Sequence, residues 1–316
     1  MMYLVLLVVF FGIMLLYFRI ADYYNIIDHP NERSSHSEIT IRGGGVIFVI
    51  AGILAVILHP QYWLPGIGLV LIGTISFIDD RITLSNKIRL LIHLIAVTLM
   101  FVFLNVFNMP FYWAIALYIL AIGIINVYNF MDGINGITGC YTLVVLGGLQ
   151  YINLYNLNFV HPDLIWFPML ACVVFLYFNF RKKARCFAGD VGSITIAFWI
   201  TFLLLKLIFI TNNWLYILFL AVYGVDAVLT IMHRLILKQN IFKAHRLHFY
   251  QLLSNEYKMP HLLVSCIYAL VQLAVIILII TNKNLPLLTI VAIVILPLML
   301  SYLIIKPYLM KLRLTQ

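Results

Sequence analysis

The sequence predicts an all-α integral membrane protein, a polytopic bundle of about eleven transmembrane helices. Three observations carry that reading. Hydrophobic residues make up 64% of the 316 and charged residues only 10%, whereas a soluble domain carries about a quarter charged, so polar groups are too few to coat a globular surface. Mean hydropathy is +1.07. The apolar residues also fall in continuous runs of the roughly 20 residues that a helix needs to cross a bilayer, not in the alternating pattern of a membrane barrel.

The runs lie near 2–19, 43–59, 62–78, 89–106, 110–127, 138–154, 163–180, 192–209, 212–231, 260–281 and 285–305. They make one polytopic domain over 1–316, with polar loops near 20–42, 79–88, 128–137, 181–191 and 232–259. All but two of the 20 Lys+Arg follow odd-numbered runs; the exceptions are Lys206 and Lys283. The positive-inside rule therefore predicts an external N-terminus and a cytoplasmic tail holding Lys306, Lys311 and Arg313. No basic segment precedes the first run and no small-residue cleavage site follows it, so it reads as a retained helix. Cys140, Cys172, Cys186 and Cys266 lack metal or disulfide spacing and read as packing residues. A net charge of +9 fits retention by anionic lipid or attraction of anionic substrates. Nothing suggests a nucleic-acid partner.

The placement of the eleven Asp+Glu separates two classes of membrane protein. A coupled transporter of anionic solutes or lipids would place ionisable groups near the midplane, between broken helices. Here Asp22, Asp28, Glu32, Glu38, Asp79, Asp80, Asp132, Asp190 and Glu256 fall in the predicted cytoplasmic loops or at their helix ends. Asp163 is external, and Asp226 lies about two turns inside the ninth run. That distribution describes an interfacial active site. A scaffold for partner proteins is the non-enzymatic alternative.

Five groups of residues carry candidate chemistry. Asp79 and Asp80 end the third run beside Arg81; adjacent carboxylates need a cation or a donor, which leaves a solvated helix end or a site. Asn126, Asn129 and Asp132 share one side of a helix that breaks at Gly133, with Asn135 following. Gly189, Asp190 and Gly192 open the eighth run, where Asp190 is either a plain cap or part of a phosphate-binding helix start. His245, Arg246 and His248 suit an oxyanion. Arg42 with Gly43, Gly44 and Gly45 opens the second run for helix packing or close approach to a ligand. Oxygen ligands without a Cys/His set favour Mg²⁺ or Mn²⁺, and metal plus cationic side chains suit phosphoryl-type transfer.

In this order the motifs resemble the polyprenyl-phosphate N-acetylhexosamine-1-phosphate transferases, the group with undecaprenyl-phosphate GlcNAc-1-phosphate transferase and the phospho-MurNAc-pentapeptide translocase. The likeness also takes in the segment 28–36, Lys87, and Asp226 with Arg234. It implies attack by undecaprenyl phosphate on a UDP-N-acetylhexosamine at the cytoplasmic face of a bacterial inner membrane. UMP would leave, and a lipid-linked O-antigen, capsule or cell-wall glycan would begin. It implies Mg²⁺ on Asp190 with Asn129 near, and Asp79 and Asp80 organising or deprotonating the lipid phosphate. His245, Arg246 and His248 would hold the diphosphate, Asp132 and Asn135 would lie towards the nucleotide-sugar, and Lys87 would neutralise the lipid phosphate. Relatives that pair through their spans make a homodimer a candidate assembly. Two departures bear on the sugar: Asn135 stands where many members have Asp, and His248-Phe249-Tyr250-Gln251 replaces a His-rich run. GalNAc or a 6-deoxy-N-acetylhexosamine therefore stands beside GlcNAc as donor.

Overall fold

The computed structural model describes residues 1–28, 39–240, 245–282 and 285–315, with side chains up to 311. Most of the segment 28–36, together with Glu38, Ala244 and Lys283, lies outside the described residues, as does the side chain of Arg313. The helices are α1 (Met2–Tyr23), α2 (Val46–Leu58), α3 (Trp63–Arg81), α4 (Asn86–Phe103), α5 (Phe111–Met131) and α6 (Ile137–Tyr155). There follow α7 (Asp163–Asn179), α8 (Gly189–Thr211), α9 (Ala221–Ile236), the single turn α10 (Phe249–Gln251), α11 (His261–Thr281) and α12 (Leu287–Thr315).

Among the described residues, 9 helical segments are long and apolar enough to cross a membrane, and α2 and α7 are shorter apolar helices. Each of the eleven expected runs is thus a helix, and the chain is a multi-pass membrane protein. Local chemistry sets the ends. Pro110, Pro162 and Pro260 precede α5, α7 and α11, where a fixed φ and a missing N–H do no harm. Asn105 and Asn212 close α4 and α8 in the left-handed conformation, with φ 56 and 50, which Asn tolerates better than most residues. Two details differ from the sequence expectation. The ninth run is split, a 3₁₀ stretch over Trp214–Leu220 leading into α9. The cationic tail is not a loose segment: α12 runs through it, and Lys306 is buried against Thr230 and Tyr302.

At the centre stands α8, whose residues from Val191 to Leu205 are all buried. A helix apolar on every side belongs inside a bundle, and α2, α3, α5 and α6 pack around this one. The triple glycine settles its open alternative as packing. A Cβ on Gly45 would sit 2.1 Å from the Gly192 Cα, so α2 and α8 touch backbone to backbone at their first turns, as small residues permit between membrane helices. Main-chain bonds lock the join: Phe187 N donates to Ile41 O at 2.8 Å, Gly44 N to Phe187 O at 2.8 Å, and Gly45 N to Ala188 O at 3.0 Å. Beside them β1 (Ile27–Asp28) pairs antiparallel with β2 (Thr40–Ile41). Arg42 is thereby held between a small sheet and the start of α8.

Gly45→Ala should lower the unfolding temperature in detergent by the equivalent of about 1–3 kcal/mol, the usual cost of overpacking. Gly12→Ala, whose Cβ meets nothing within 4 Å, should leave it unchanged. Equal effects of the two substitutions would contradict the backbone contact.

Candidate active site

The site is built around the first turn of α8. Gly189 enters it with φ +71, and a side chain there would strike the Asp80 carboxylate, 2.5 Å from a built Cβ. The helix start leaves backbone N–H groups without intrahelical partners. Two of them are taken by Asp80, reaching across from the last turn of α3: Asp190 N donates at 2.9 Å and Val191 N at 3.0 Å. Arg42 Nε donates to the same carboxylate at 2.7 Å, and the Asp80 side chain is fully buried. Asp80 is therefore a cap supplied by a neighbouring helix. Burial opposes the charge on Arg42, but Asp80, Asp190 and Asp28 outweigh it and raise its affinity for the proton.

Asp190, on the capped turn, points the other way. Its Oδ1 accepts from Asn129 Nδ2 at 3.0 Å and lies 3.7 Å from Arg42 Nη2. Its Oδ2 lies 3.5 Å from Arg89 Nη1. That same nitrogen donates to Asp79 Oδ2 at 2.7 Å, while Asp79 Oδ1 accepts from Leu84 N at 2.7 Å. Asn129 also donates to Ser193 Oγ at 3.1 Å. Carboxylates from α3 and α8, an amide from α5 and guanidiniums from the β2 edge and α4 thus converge at one end of the bundle. Arg42 and Arg89 stay about a third exposed, so the cluster opens to solvent.

Asp132 caps the end of α5 next to this cluster, and its Oδ1 accepts from the Thr138 hydroxyl at 2.5 Å. Burial pushes its carboxyl up to about 7; Thr138 and Arg42 oppose the shift, while the like charges of Asp190 and Asp80 add to it. Asn135 is buried, and its amide nitrogen donates to Arg181 O at 2.8 Å and Lys182 O at 3.3 Å. Asn179 completes this staple, accepting from Gly136 N at 2.7 Å and donating to Cys186 O at 2.8 Å. The loop after α5 is thereby tied to the loop before α8.

A second buried aspartate organises the His-Arg loop. Asp226 in α9 accepts from Phe249 N at 2.8 Å and from Tyr250 N at 3.3 Å, and so caps α10. Tyr268 donates to it at 2.7 Å, and His248 Nδ1 lies 3.4 Å away. Asp226 is thus no isolated charge of the transporter kind. Tyr250 reaches back to donate to Phe130 O at 2.9 Å, which links the loop to the end of α5. His245 sits beside His248 with ring centroids 4.9 Å apart. Burial, then the neighbouring His248, Arg234 and Lys306, pull its imidazole down to about 3, so it is neutral at pH 7.

Of the residues picked out from sequence, Arg42, Asp79, Asp80, Asn129 and Asp190 meet in one cluster, with Asp132 close by. His245, Arg246 and His248 belong to the linked second group. Three stand apart. Asn126 bonds back within α5 to Ile122 O at 2.8 Å, Asn135 serves the loop staple, and Lys87 is exposed on the first turn of α4. Arg89 escaped the sequence reading. It lies two residues after Lys87, about 200° round the helix, and so faces Asp79. Asn179 also escaped, since an amide at the end of an apolar run carries no local signal. Asp190 and Asp79 offer hard carboxylate oxygens to a divalent ion at one mouth, with the Asn129 amide beside them.

The profile described as "Glycosyl transferase family 4" matches residues 62–208. A "Probable undecaprenyl-phosphate N-acetylglucosaminyl 1-phosphate transferase" of Bacillus subtilis (strain 168) is 28% identical over 254 residues, 73% of this chain and 70% of that relative. An "Undecaprenyl-phosphate alpha-N-acetylglucosaminyl 1-phosphate transferase" of Escherichia coli O157:H7 is 28% identical, covering 60% of this chain and 57% of its own. A "Phospho-N-acetylmuramoyl-pentapeptide-transferase" of Lactobacillus helveticus (strain DPC 4571) is 28% identical over 48% of this chain and 56% of its own. The chain thus spans little more than half the length of the last two.

The shifted Asp132 carboxyl has a consequence for stability. In the unfolded chain it ionises near its ordinary 3.8, but in the fold it stays neutral up to about 7. The unfolded state therefore holds fewer protons across that window, and stability falls as pH rises through it, then levels off. Asp132→Asn should remove this slope. Unfolding temperatures of both proteins at pH 4, 6 and 8, with chelator present, should diverge in favour of the variant as pH rises. Parallel curves would rule it out.

Proposed function

We propose that the chain is a member of glycosyl transferase family 4, whose profile matches residues 62–208, and that it transfers an N-acetylhexosamine-1-phosphate from a UDP-sugar to undecaprenyl phosphate. GlcNAc-1-phosphate is the default group, and the lipid-linked product begins an O-antigen, capsule or cell-wall glycan. A terminal oxygen of the lipid phosphate bonds to the sugar-linked phosphorus. The bond from that phosphorus to the bridging oxygen breaks, and its electron pair leaves with UMP. The observation that carries this reading is the convergence of Asp79, Asp190 and Asn129 with Arg42 and Arg89 at the solvent-facing end of the helices.

The residues divide the work by accessibility. Asp80, sealed against α8, acts as a positioning residue for Asp190 and Arg42. Asp79 orients Arg89, and the two guanidiniums draw the anionic diphosphate and lipid phosphate together. Asp132 takes the remaining proton from the lipid phosphate; a carboxyl near 7 is matched to a phosphate monoester whose second ionisation falls near 6. His245 and Arg246 bind diphosphate oxygens, with His248 and Asp226 holding their loop. Mg²⁺ on Asp190 and Asn129, with Mn²⁺ as substitute, supplies charge neutralisation when bound.

An apolar groove supports a lipid acceptor. A cavity of about 590 Å³ runs between α5, α9 and α12, lined by Ile119, Gly123, Val127, Gly224, Val228 and Met299 among others. Ile119 and Val228 are exposed at its mouth, and its lining on α5 reaches Val127 and Tyr128, directly before Asn129. A prenyl chain lying there would bring its phosphate towards the cluster. The loop charges support an active site facing the cytoplasm of a bacterial inner membrane.

Purified protein given mixed UDP-sugars, undecaprenyl phosphate and Mg²⁺ should yield a lipid-linked sugar diphosphate by mass spectrometry. The donor chosen from GlcNAc, GalNAc and 6-deoxy sugars names the substrate; no product with any donor would remove the function. Full turnover in Asp190→Asn would remove the metal assignment. Arg89→Ala should lower kcat roughly 100-fold, the scale for losing one charge-stabilising group. Lys87→Ala, on the outer side of α4, should raise KM for the lipid and leave kcat alone.

A further inference from the structure

We propose that His59, His161 and Asp163 form a transition-metal site, with Zn²⁺ the first candidate, at the end of the bundle opposite the carboxylate cluster. These residues come from the α2–α3 corner, the α6–α7 corner and the first residue of α7. Their donor atoms all lie within 4.8 Å of one another. The active-site carboxylates are about 24 Å away along α7, a helix of 17 residues rising about 1.5 Å per residue. The site therefore plays no part in the transfer chemistry.

Two imidazoles and one carboxylate form a donor set of borderline softness, which selects zinc and its neighbours over Mg²⁺. The spacing agrees. His59 Nε2 lies 2.9 Å and His161 Nδ1 3.5 Å from Asp163 Oδ2. Donors bound at about 2.0–2.2 Å stand roughly that far apart along the edges of a coordination polyhedron. The other carboxylate oxygen is already fixed, since Tyr3 donates to Oδ1 at 2.8 Å. That leaves Oδ2 facing the two rings, with the outer partner that metal-binding carboxylates usually have.

The backbone is set for the purpose. Each histidine precedes a proline, Pro60 or Pro162, which restricts the histidine backbone. His161 N donates to the Tyr62 hydroxyl at 3.2 Å, and Trp199 Nε1 donates to Leu164 O at 2.8 Å beside Asp163. The rings stack with centroids 3.5 Å apart at 26°. Closing on an ion requires one ring to turn about χ2, a soft torsion for histidine. His161 does so by giving up one bond, from Asp163 N to its Nδ1 at 3.3 Å; its side chain is 43% exposed, while Asp163 stays at 7%. The same exposure leaves a remaining coordination position open to water. An ion there would clasp the start of α1, through Tyr3, to two corners distant in sequence.

The test uses the full chain in detergent, stripped with EDTA, dialysed, and titrated with Zn²⁺ against a chromophoric chelator in millimolar Mg²⁺. Wild type should take up one Zn²⁺ per chain, and Zn²⁺ should raise its unfolding temperature. His161→Gln should lose at least tenfold in affinity and show no such rise, with its metal-free unfolding temperature unchanged. Tyr3→Phe, which keeps all three ligands, should weaken binding roughly tenfold. Absence of uptake by wild type, or uptake by His161→Gln equal to wild type, would overturn the site.

Discussion

Everything at the active end of this protein depends on the Asp80 carboxylate and the first turn of α8. Without a partner, the Asp190 and Val191 N–H groups would be buried donors at the head of the most enclosed helix in the bundle, each costing on the order of 1–3 kcal/mol. An unpaired buried Asp80 would cost more. Together they satisfy one another, with Arg42 closing the third side. The contact also fixes register. It sets the end of α3 against the start of α8, and Gly45 against Gly192 allows nothing bulkier between α2 and α8. Asp190 and Asp79 meet because Asp80 pins the end of α3 to the start of α8, and Asn129 joins them from α5 through its own bonds to Asp190 and Ser193.

The same device recurs at Asp226, where a buried aspartate on α9 receives the first N–H groups of α10 and orders the His-Arg loop. In a protein with few charges, ionisable groups inside helices are tolerated where they satisfy backbone. Two such caps convert loops at the membrane surface into fixed platforms. Tyr250, donating to Phe130 O, joins them. The site is rigid at its root and polar only at its tip, which suits a reaction between a lipid and a water-soluble nucleotide.

Much of this was legible in the sequence. The eleven helices followed from run length, because a bilayer imposes a length that soluble folds do not. Asp79, Asp80, Asn129 and Asp190 stood out because polar residues at the ends of apolar runs are costly without a reason. What stayed hidden depends on tertiary direction. Lys87 and Arg89 are equivalent as letters, and only the rotation of α4 tells which faces Asp79. Asn135 read as a substrate contact, yet its amide nitrogen holds two backbone carbonyls, a role set by a loop 46 residues away. Asp226 looked like a lone intramembrane acid because the α10 backbone that covers it comes later in the chain.

One expectation is reshaped by the geometry, and it bears on how the site attracts its substrates. A glycine-flanked helix start commonly offers its free N–H groups to a phosphate. Here two of those groups are spent on Asp80, so a negative charge already sits where a phosphate would. The pull on an anionic lipid and a diphosphate must come from Arg42 and Arg89, which themselves contact four carboxylates, Asp28, Asp79, Asp80 and Asp190. Two guanidiniums among four carboxylates leave negative charge in excess around the site. That excess repels a bare diphosphate and favours one delivered with a cation. A divalent ion on Asp190 and Asn129, as proposed, would reverse the sign locally and let both arginines turn from the protein's carboxylates to the substrate's phosphates.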